Sequence, residues 1–179
     1  YFGKVDRISP EAPVPIVNIQ KEESRLGGAS NVANNIVSLG GHSLLCGVIG
    51  HDLFGKEIER ISRHKNIDTF LLKTSSPTIT KARIIGGKQQ IVRVDYEDKS
   101  ELNADNKKLF RDTISRILPE YDILVISDYG KGLISEDLCR YLIKLAHKYD
   151  KKVIIDPKGK NWEKYSGADI VTPNVKELS

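Results

Sequence analysis

The 179-residue chain has no methionine, one tryptophan and two cysteines. Without Met, Tyr1 is not a translation start, and a piece of a longer protein is expected. The same expectation comes from the other end, where Asn174 to Ser179 look like the opening of a helix after Pro173. Cys46 and Cys139 sit far apart in apolar segments without partners at metal-ligand spacing. That argues against a disulfide framework or a zinc site and for two buried thiols in a reducing, cytoplasmic setting. His42, His51, His64 and His147 show no ligand spacing, and no Ser-His-Asp arrangement is legible. No apolar run approaches the roughly 20 residues that span a bilayer, and no basic start leads into a signal core, so no membrane partner is expected. Lys plus Arg number 28 against 24 Asp plus Glu, a net charge of +4. These charges are interspersed, so the basic stripe that nucleic acid requires is missing, while a small anionic substrate is compatible.

What is present suits a folded domain: 39% hydrophobic and 29% charged residues can bury a core. Ser43 to Ile49 reads as a buried strand, and Phe54 to His64 places Ile58 and Ile61 at helical spacing. Asp105 to Leu118 repeats that period, Ile123 to Ile126 reads as a strand buried on both faces, and Ser135 opens a helix whose apolar face is Leu138, Tyr141, Leu142 and Leu145. Val153 to Ile155 and Ile170-Val171 add strands. Alternating strand and helix predicts an α/β fold with a parallel sheet flanked by helices.

Two segments break the rhythm. Thr78 to Ile85, a Gly86-Gly87 turn and Gln90 to Tyr96 predict a β-hairpin, with Val92, Val94 and Tyr96 on one face and Ile91, Arg93 and Asp95 on the other. Val14 to Gln20, preceded by Pro10, Pro13 and Pro15, reads as an edge strand, its prolines blocking pairing on one side.

The richest motif runs from Arg25 through Gly27-Gly28-Ala29-Ser30-Asn31 into a helix closed at Gly40. Glycines let a polyhydroxylated ligand approach the backbone, first-turn amides can donate to it, and Asn31 can donate and accept. The ordinary alternative is a turn followed by a helix capped by Ser30 or Asn31, with Val32, Ala33, Ile36 and Val37 buried. Gly50-His51-Asp52-Leu53-Phe54-Gly55-Lys56-Glu57 nearly spells a P-loop, but Glu57 replaces the Ser or Thr that would hold Mg²⁺, so an ATP cradle is rejected there.

Gly-Gly-Ala-x-Asn-x-Ala followed by Leu-Gly resembles the first signature of the ribokinase-like (PfkB) family of sugar kinases. The Gly50 to Gly55 segment resembles that family's structural Gly-x-Asp-x-x-Gly turn. Arg7 to Pro15, Pro77 to Arg83 and Gln89 to Glu97 resemble the heptose-phosphate kinases of the family. Ser127 to Gly132, Asp156 to Gly159 and Thr172-Pro173-Asn174 extend that likeness over nearly the whole chain.

The resemblance implies a partial ribokinase-like kinase domain over 1–179, with lid strands at about 12–21 and 77–98 set into an α/β core of 22–76 and 99–179. It implies ATP and Mg²⁺ as cofactors, a small sugar phosphate as substrate and a homodimer through the β lid. Gly27, Gly28 and Asn31 would then hold sugar hydroxyls, Lys81 and Arg93 the far phosphate, and Asp128 the substrate at a strand end. Lys131 and Lys158 would support the transferring phosphoryl group. Asn174 and Glu177 match the family's Asn-x-x-Glu motif near Mg²⁺, with Glu177 acting on the metal through water. For the hairpin cations a solvated strand face is an equal alternative, and for Asp128 a loop cap is the ordinary one. The family's opening strand ending in Gly-Asp and its Gly-Ala-Gly-Asp motif, whose Asp is the base, do not occur. The reading is therefore the sugar-binding half of a kinase acting on the anomeric hydroxyl of a heptose 7-phosphate, itself inactive. The alternatives are another sugar kinase of the family, or a noncatalytic module for sugar-phosphate binding or dimerisation.

Overall fold

The computed structural model describes residues 1–98 and 100–178. Both outer bounds of the expected second core segment, Lys99 and Ser179, lie outside the described residues. Strands β1 (Phe2–Ile8) and β2 (Pro15–Lys21) come first, and helix α1 (Ala29–Ser38) follows. Next are β3 (Leu44–Gly50), α2 (Leu53–His64), β4 (Asp68–Thr74), β5 (Thr80–Gly86) and β6 (Gln89–Tyr96). The last part comprises α3 (Ala104–Ile117), β7 (Ile123–Ser127), α4 (Glu136–Lys148), β8 (Lys152–Asp156) and β9 (Ile170–Val171).

The parallel strands form two ladders, β3-β4 and β7-β8-β9. The main core lies where α3 and α4 cover the second ladder. Phe110, Ile114, Leu138, Cys139, Leu142, Ile143 and Ala146 from the helices pack with Val153 and Ile155 of β8, and Cys46 and Phe70 of the first ladder reach the same cluster. Ser135 caps α4 by accepting from the Leu138 amide, with Glu136 and Asp137 in the first turn and His147 and Lys148 in the last, all in the sense that suits the helix dipole. Burial pushes the Cys46 thiol up to about 12 and Cys139 to about 11, so both are inert packing groups.

The lid is a four-stranded sheet in the order β2-β1-β5-β6. Strand β1 is absent from the sequence-based expectation, because Phe-Gly-Lys-Val-Asp-Arg-Ile carries too few apolar residues to stand out. It is specified by its neighbours: β2 pairs along it antiparallel, and β5 meets it in parallel at Phe2 and Gly3. Gly3 is required at this crossing, where a Cβ would fall 2.3 Å from the Asn18 carbonyl oxygen. Strand β4 is likewise missing from that expectation; its apolar residues are a short central run, Phe70-Leu71-Leu72.

A bulge between Ile84 and Ile85 alters the predicted hairpin faces: Ile84 pairs with Val92 while Ile85 pairs with Gln90, leaving Ile91 as the extra residue. Ile91 thereby joins the apolar face. Its side chain lies 3.0 Å from where a Cβ on Gly86 would be, beside Val5. One lid face therefore carries Val5, Ile84, Val92, Val94 and Tyr96, and the other carries Lys81, Arg83, Arg93 and Asp95.

The helix α1 cap also differs from expectation. Neither Ser30 nor Asn31 caps it; Gly28 does, at φ 55°, and no side chain bonds to the free amides. Ser30 instead donates its hydroxyl to the Gly27 carbonyl at 2.6 Å. Asp52 does cap α2, taking the Gly55 amide at 2.8 Å and both the amide and hydroxyl of Thr78 at 2.7 Å, while Thr78 accepts from the Gly50 amide. The Gly-x-Asp-x-x-Gly segment is thus a cross-linked turn that holds the entry to the lid. Asp52→Ala strands three donors and is expected to lower unfolding stability by about 2–3 kcal/mol, as measured by denaturant titration.

Candidate functional site

In an open parallel sheet the loops at the carboxyl ends of the strands gather ligands. Here the loops after β7 and β8 meet there, together with the amino end of α1. The loop after β7 begins with Asp128, 3% exposed. Its Oδ1 accepts from the Gly130 amide at 2.7 Å, and its Oδ2 accepts from the Tyr165 hydroxyl at 2.8 Å and from the Lys164 ammonium. The Asp128 amide donates to the Asp156 carbonyl at 2.9 Å. Asp128 is thus held as a loop cap rather than as the open substrate contact expected of it. Both carboxylate oxygens are spent inside the protein, and the loop-cap alternative is the one observed.

Tyr165 carries this network into the second loop. The Lys158 amide donates to its hydroxyl oxygen at 2.8 Å, directly before Gly159 at φ 84°. Lys158 then extends its ammonium 2.9 Å to Glu177 Oε1. Glu177 Oε2 takes the Asn174 amide at 3.0 Å, while Asn174 Oδ1 takes the amides of Lys176 and Glu177. Asn174 and Glu177 form a reciprocal capping box, and Lys158 locks it to the sheet. The Lys158 ammonium, followed by the Asn174 amide, holds the Glu177 carboxyl below the usual range. Burial, and next the Glu177 charge, raises Asp156.

The glycine turn borders the same space. A Cβ on Gly28 would sit 3.4 Å from the Tyr129 ring, and one on Gly130 3.6 Å from the Lys158 stem, whereas one on Gly27 would meet nothing within 4 Å. The positive φ of Gly28 strains any side chain there, while a Cβ would make only an ordinary contact with Tyr129, and packing does not explain Gly27. Asn31 is exposed, and its side-chain amide makes no hydrogen bond among the described residues.

The lid joins through a chain of alternating charges. Lys131, in the loop after β7, lies 2.6 Å from Glu97 Oε2. Lys81 of β5 pairs with Glu97 Oε1 at 2.8 Å and with Asp95 at 2.7 Å, and Arg93 pairs with the other Asp95 oxygen at 2.8 Å. The charged lid face therefore looks toward the strand ends. The structure brings Lys81, Arg93 and Lys131 into one cluster and Lys158, Asn174 and Glu177 into another, with the Asp128 to Gly130 turn and Gly28 between them. Sequence reasoning does not pick out Glu97, Lys164 and Tyr165 as site residues: Glu97 directly follows β6, and Lys164 and Tyr165 lie in the single 3₁₀ turn Glu163–Tyr165, which is too short for periodicity to give a signal.

Among the described residues no group of three or more His, Cys, Asp or Glu could hold a metal ion. Glu177, paired with Lys158, fits Mg²⁺ only as a single carboxylate reaching the ion through water.

The profile of the pfkB family carbohydrate kinases matches residues 2–179. The bifunctional protein HldE of a Helicobacter pylori strain is 47% identical over 179 residues, which are 99% of this chain and 39% of that protein. HldE of a Nitratiruptor species is 43% identical over 178 residues, 99% of this chain and 38% of that one. The chain thus spans well under half the length of these curated relatives. Among solved structures, a possible 1-phosphofructokinase from Thermotoga maritima superposes with a TM-score of 0.74 at 19% identity, over 98% of this chain and 56% of that one. Escherichia coli phosphofructokinase-2 in complex with fructose-6-phosphate gives 0.68 at 21% identity, over 99% and 58%. These two likenesses establish the ribokinase-like fold.

The lid-to-core ion pair has a pH signature. Lys131 first and Lys81 second hold the Glu97 carboxyl at about 2, below its ordinary 4.5. A depressed folded value means the pairing stabilises above pH 4.5 and is lost as pH falls toward 2. Thermal unfolding of Glu97→Gln across that window is expected to show a shallower acid dependence than the unaltered protein.

Proposed function

The chain belongs to the pfkB family of carbohydrate kinases, and from that premise we propose that it is the sugar-binding half of a heptose-phosphate kinase. The reaction moves the γ-phosphoryl group of ATP to the anomeric hydroxyl of D-glycero-β-D-manno-heptose 7-phosphate, on the route to ADP-heptose for lipopolysaccharide core. The observation that carries this reading is the position of the charged lid face, with Lys81 and Arg93, opposite the loops bearing Lys131 and Lys158. A substrate phosphorylated at one end and phosphoryl-accepting at the other needs cations at both ends.

Gly27, Gly28 and Asn31 approach the sugar hydroxyls between those ends. Lys81 and Arg93 exchange Asp95 and Glu97 for the 7-phosphate. Lys158 and Lys131 neutralise charge on the moving group, whose transfer depends mainly on positioning and electrostatics. Bound ATP supplies the phosphoryl group and Mg²⁺ offsets its charge, with Asn174 and Glu177 beside them. No residue here is assigned as the base, so these 179 residues alone are proposed to be inactive. The two inert thiols suit the reducing cytoplasm where such a kinase would work.

The opposite lid face supports a homodimer. Val5, Val92, Val94 and Tyr96 are each at least 40% exposed and share one side of the sheet, and a second copy offers the same self-complementary surface.

With the full-length protein, ADP release is expected with heptose 7-phosphate and ATP and to be far weaker with fructose 6-phosphate; equal rates would place it with another sugar kinase. Arg93→Ala should raise the KM for the heptose phosphate about tenfold with kcat nearly unchanged. Val94→Asp should convert a dimer to a monomer in sedimentation velocity.

A further inference from the structure

Tyr165 is 3% exposed in the main core, yet its hydroxyl stands at the junction of both cation-bearing loops. Its single proton has two acceptors in range, Asp128 Oδ2 at 2.8 Å and the Lys158 carbonyl at 3.0 Å. The charged and shorter partner takes it. The hydroxyl oxygen then accepts the Lys158 amide at 2.8 Å. Burial keeps the phenol above its ordinary range, so it stays a donor at neutral pH. Lys164 neutralises the same Asp128 oxygen and lies 5.0 Å from the Tyr165 ring centroid, so the network closes among groups largely withdrawn from solvent.

We propose that Tyr165 is a positioning residue for phosphoryl transfer. Its hydroxyl ties the Lys158 backbone to the Asp128 loop cap and so fixes where the Lys158 ammonium stands relative to the loop carrying Lys131. The inference rests on the role given to Lys158 above. The geometry requires the hydroxyl specifically. The ring is held independently by Trp162, 6.3 Å away in an edge-on contact, and by the core cluster, while the hydroxyl is the only side-chain group that bonds the Lys158 amide among the described residues. Freed of it, the Lys158 amide loses its side-chain anchor just beyond the β8 ladder, and a cation displaced by about 1 Å loses much of its effect on a developing charge.

The test uses the full-length protein and three variants: Tyr165→Phe, Lys158→Met and the double variant. Expected for Tyr165→Phe is a fall in kcat of about tenfold, a heptose-phosphate KM within twofold, and faster amide exchange confined to the peptide containing Lys158. The double variant should be no slower than Lys158→Met alone, because Tyr165 acts through Lys158. If Lys158→Met lowers kcat but Tyr165→Phe does not, or if their losses multiply, the positioning role is overturned while the role of Lys158 stands. If Lys158→Met itself leaves kcat unchanged, the assigned role of Lys158 fails first and the inference falls with it. Unchanged exchange at Lys158 in Tyr165→Phe would overturn the tie directly, whatever the rates.

Discussion

The Asp128 carboxylate lies out of water at the end of β7, and a charge in that position is tolerated only if both of its oxygens are paired and hydrogen-bonded. The Gly130 amide donates to one oxygen, and Lys164 and Tyr165 donate to the other. Because the partners come from the β7 loop and from the segment after β8, satisfying one charge fixes two loops relative to each other. The lysines on those loops need no direct contact to be held at a set separation. A neutral pair at this place would pack equally well; what the ionic network adds is a single permitted arrangement, since removing any member leaves a buried donor or acceptor unmatched.

The lid solves a different problem. A four-stranded sheet standing off a core has two faces to account for, and the bulge at Ile91 sorts them. Without it, Ile91 would lie among Arg93 and Asp95, adding a second isoleucine to Ile85 on the charged face. With it, Ile91 joins Ile84, Val92, Val94 and Tyr96 on one side, while Lys81, Arg83, Arg93 and Asp95 share the other with Ile85. The charged side is then joined to the core through Glu97 and Lys131, while the apolar side is left for burial against another surface.

Much of the α/β core was legible because its signals are local. The spacing within α3 and α4, the Ser135 cap and the all-apolar run of β7 and β8 each name their element without help from elsewhere. What stayed hidden depends on distant partners. Strand β1 is recognisable only once β2 and β5 flank it, and Gly28 replaces Ser30 as the cap of α1 because the backbone there turns to φ 55° against Tyr129. The site followed the same division. Motifs mark Gly27, Gly28, Asn31, Lys81, Arg93, Lys131, Lys158, Asn174 and Glu177; ion pairs join Lys81, Arg93 and Lys131, a second set of contacts joins Lys158, Asn174 and Glu177, and Gly28 lies against Tyr129. A motif marks Asp128 too, but its role could not be read there, because the distinction between a substrate ligand and a buried cap lies in Lys164 and Tyr165, 36 and 37 positions away.

The pairing of every assigned cation has a consequence for binding. Lys81, Arg93 and Lys131 share Asp95 and Glu97, three positive charges against two negative, and Lys158 is matched by Glu177. A bare cluster of four cations would repel itself and attract any small anion at the cost of selectivity. Internal carboxylates hold the ammonium groups in place and set a threshold: a monoanion offers little more than the carboxylate it must displace. A phosphate dianion, with three acceptor oxygens, can engage several of the cations at once. On the function proposed above, selectivity for a doubly charged group at a fixed distance from a sugar hydroxyl would follow from the spacing of two satisfied clusters, with the buried Asp128 carboxylate holding together the two loops that carry Lys131 and Lys158.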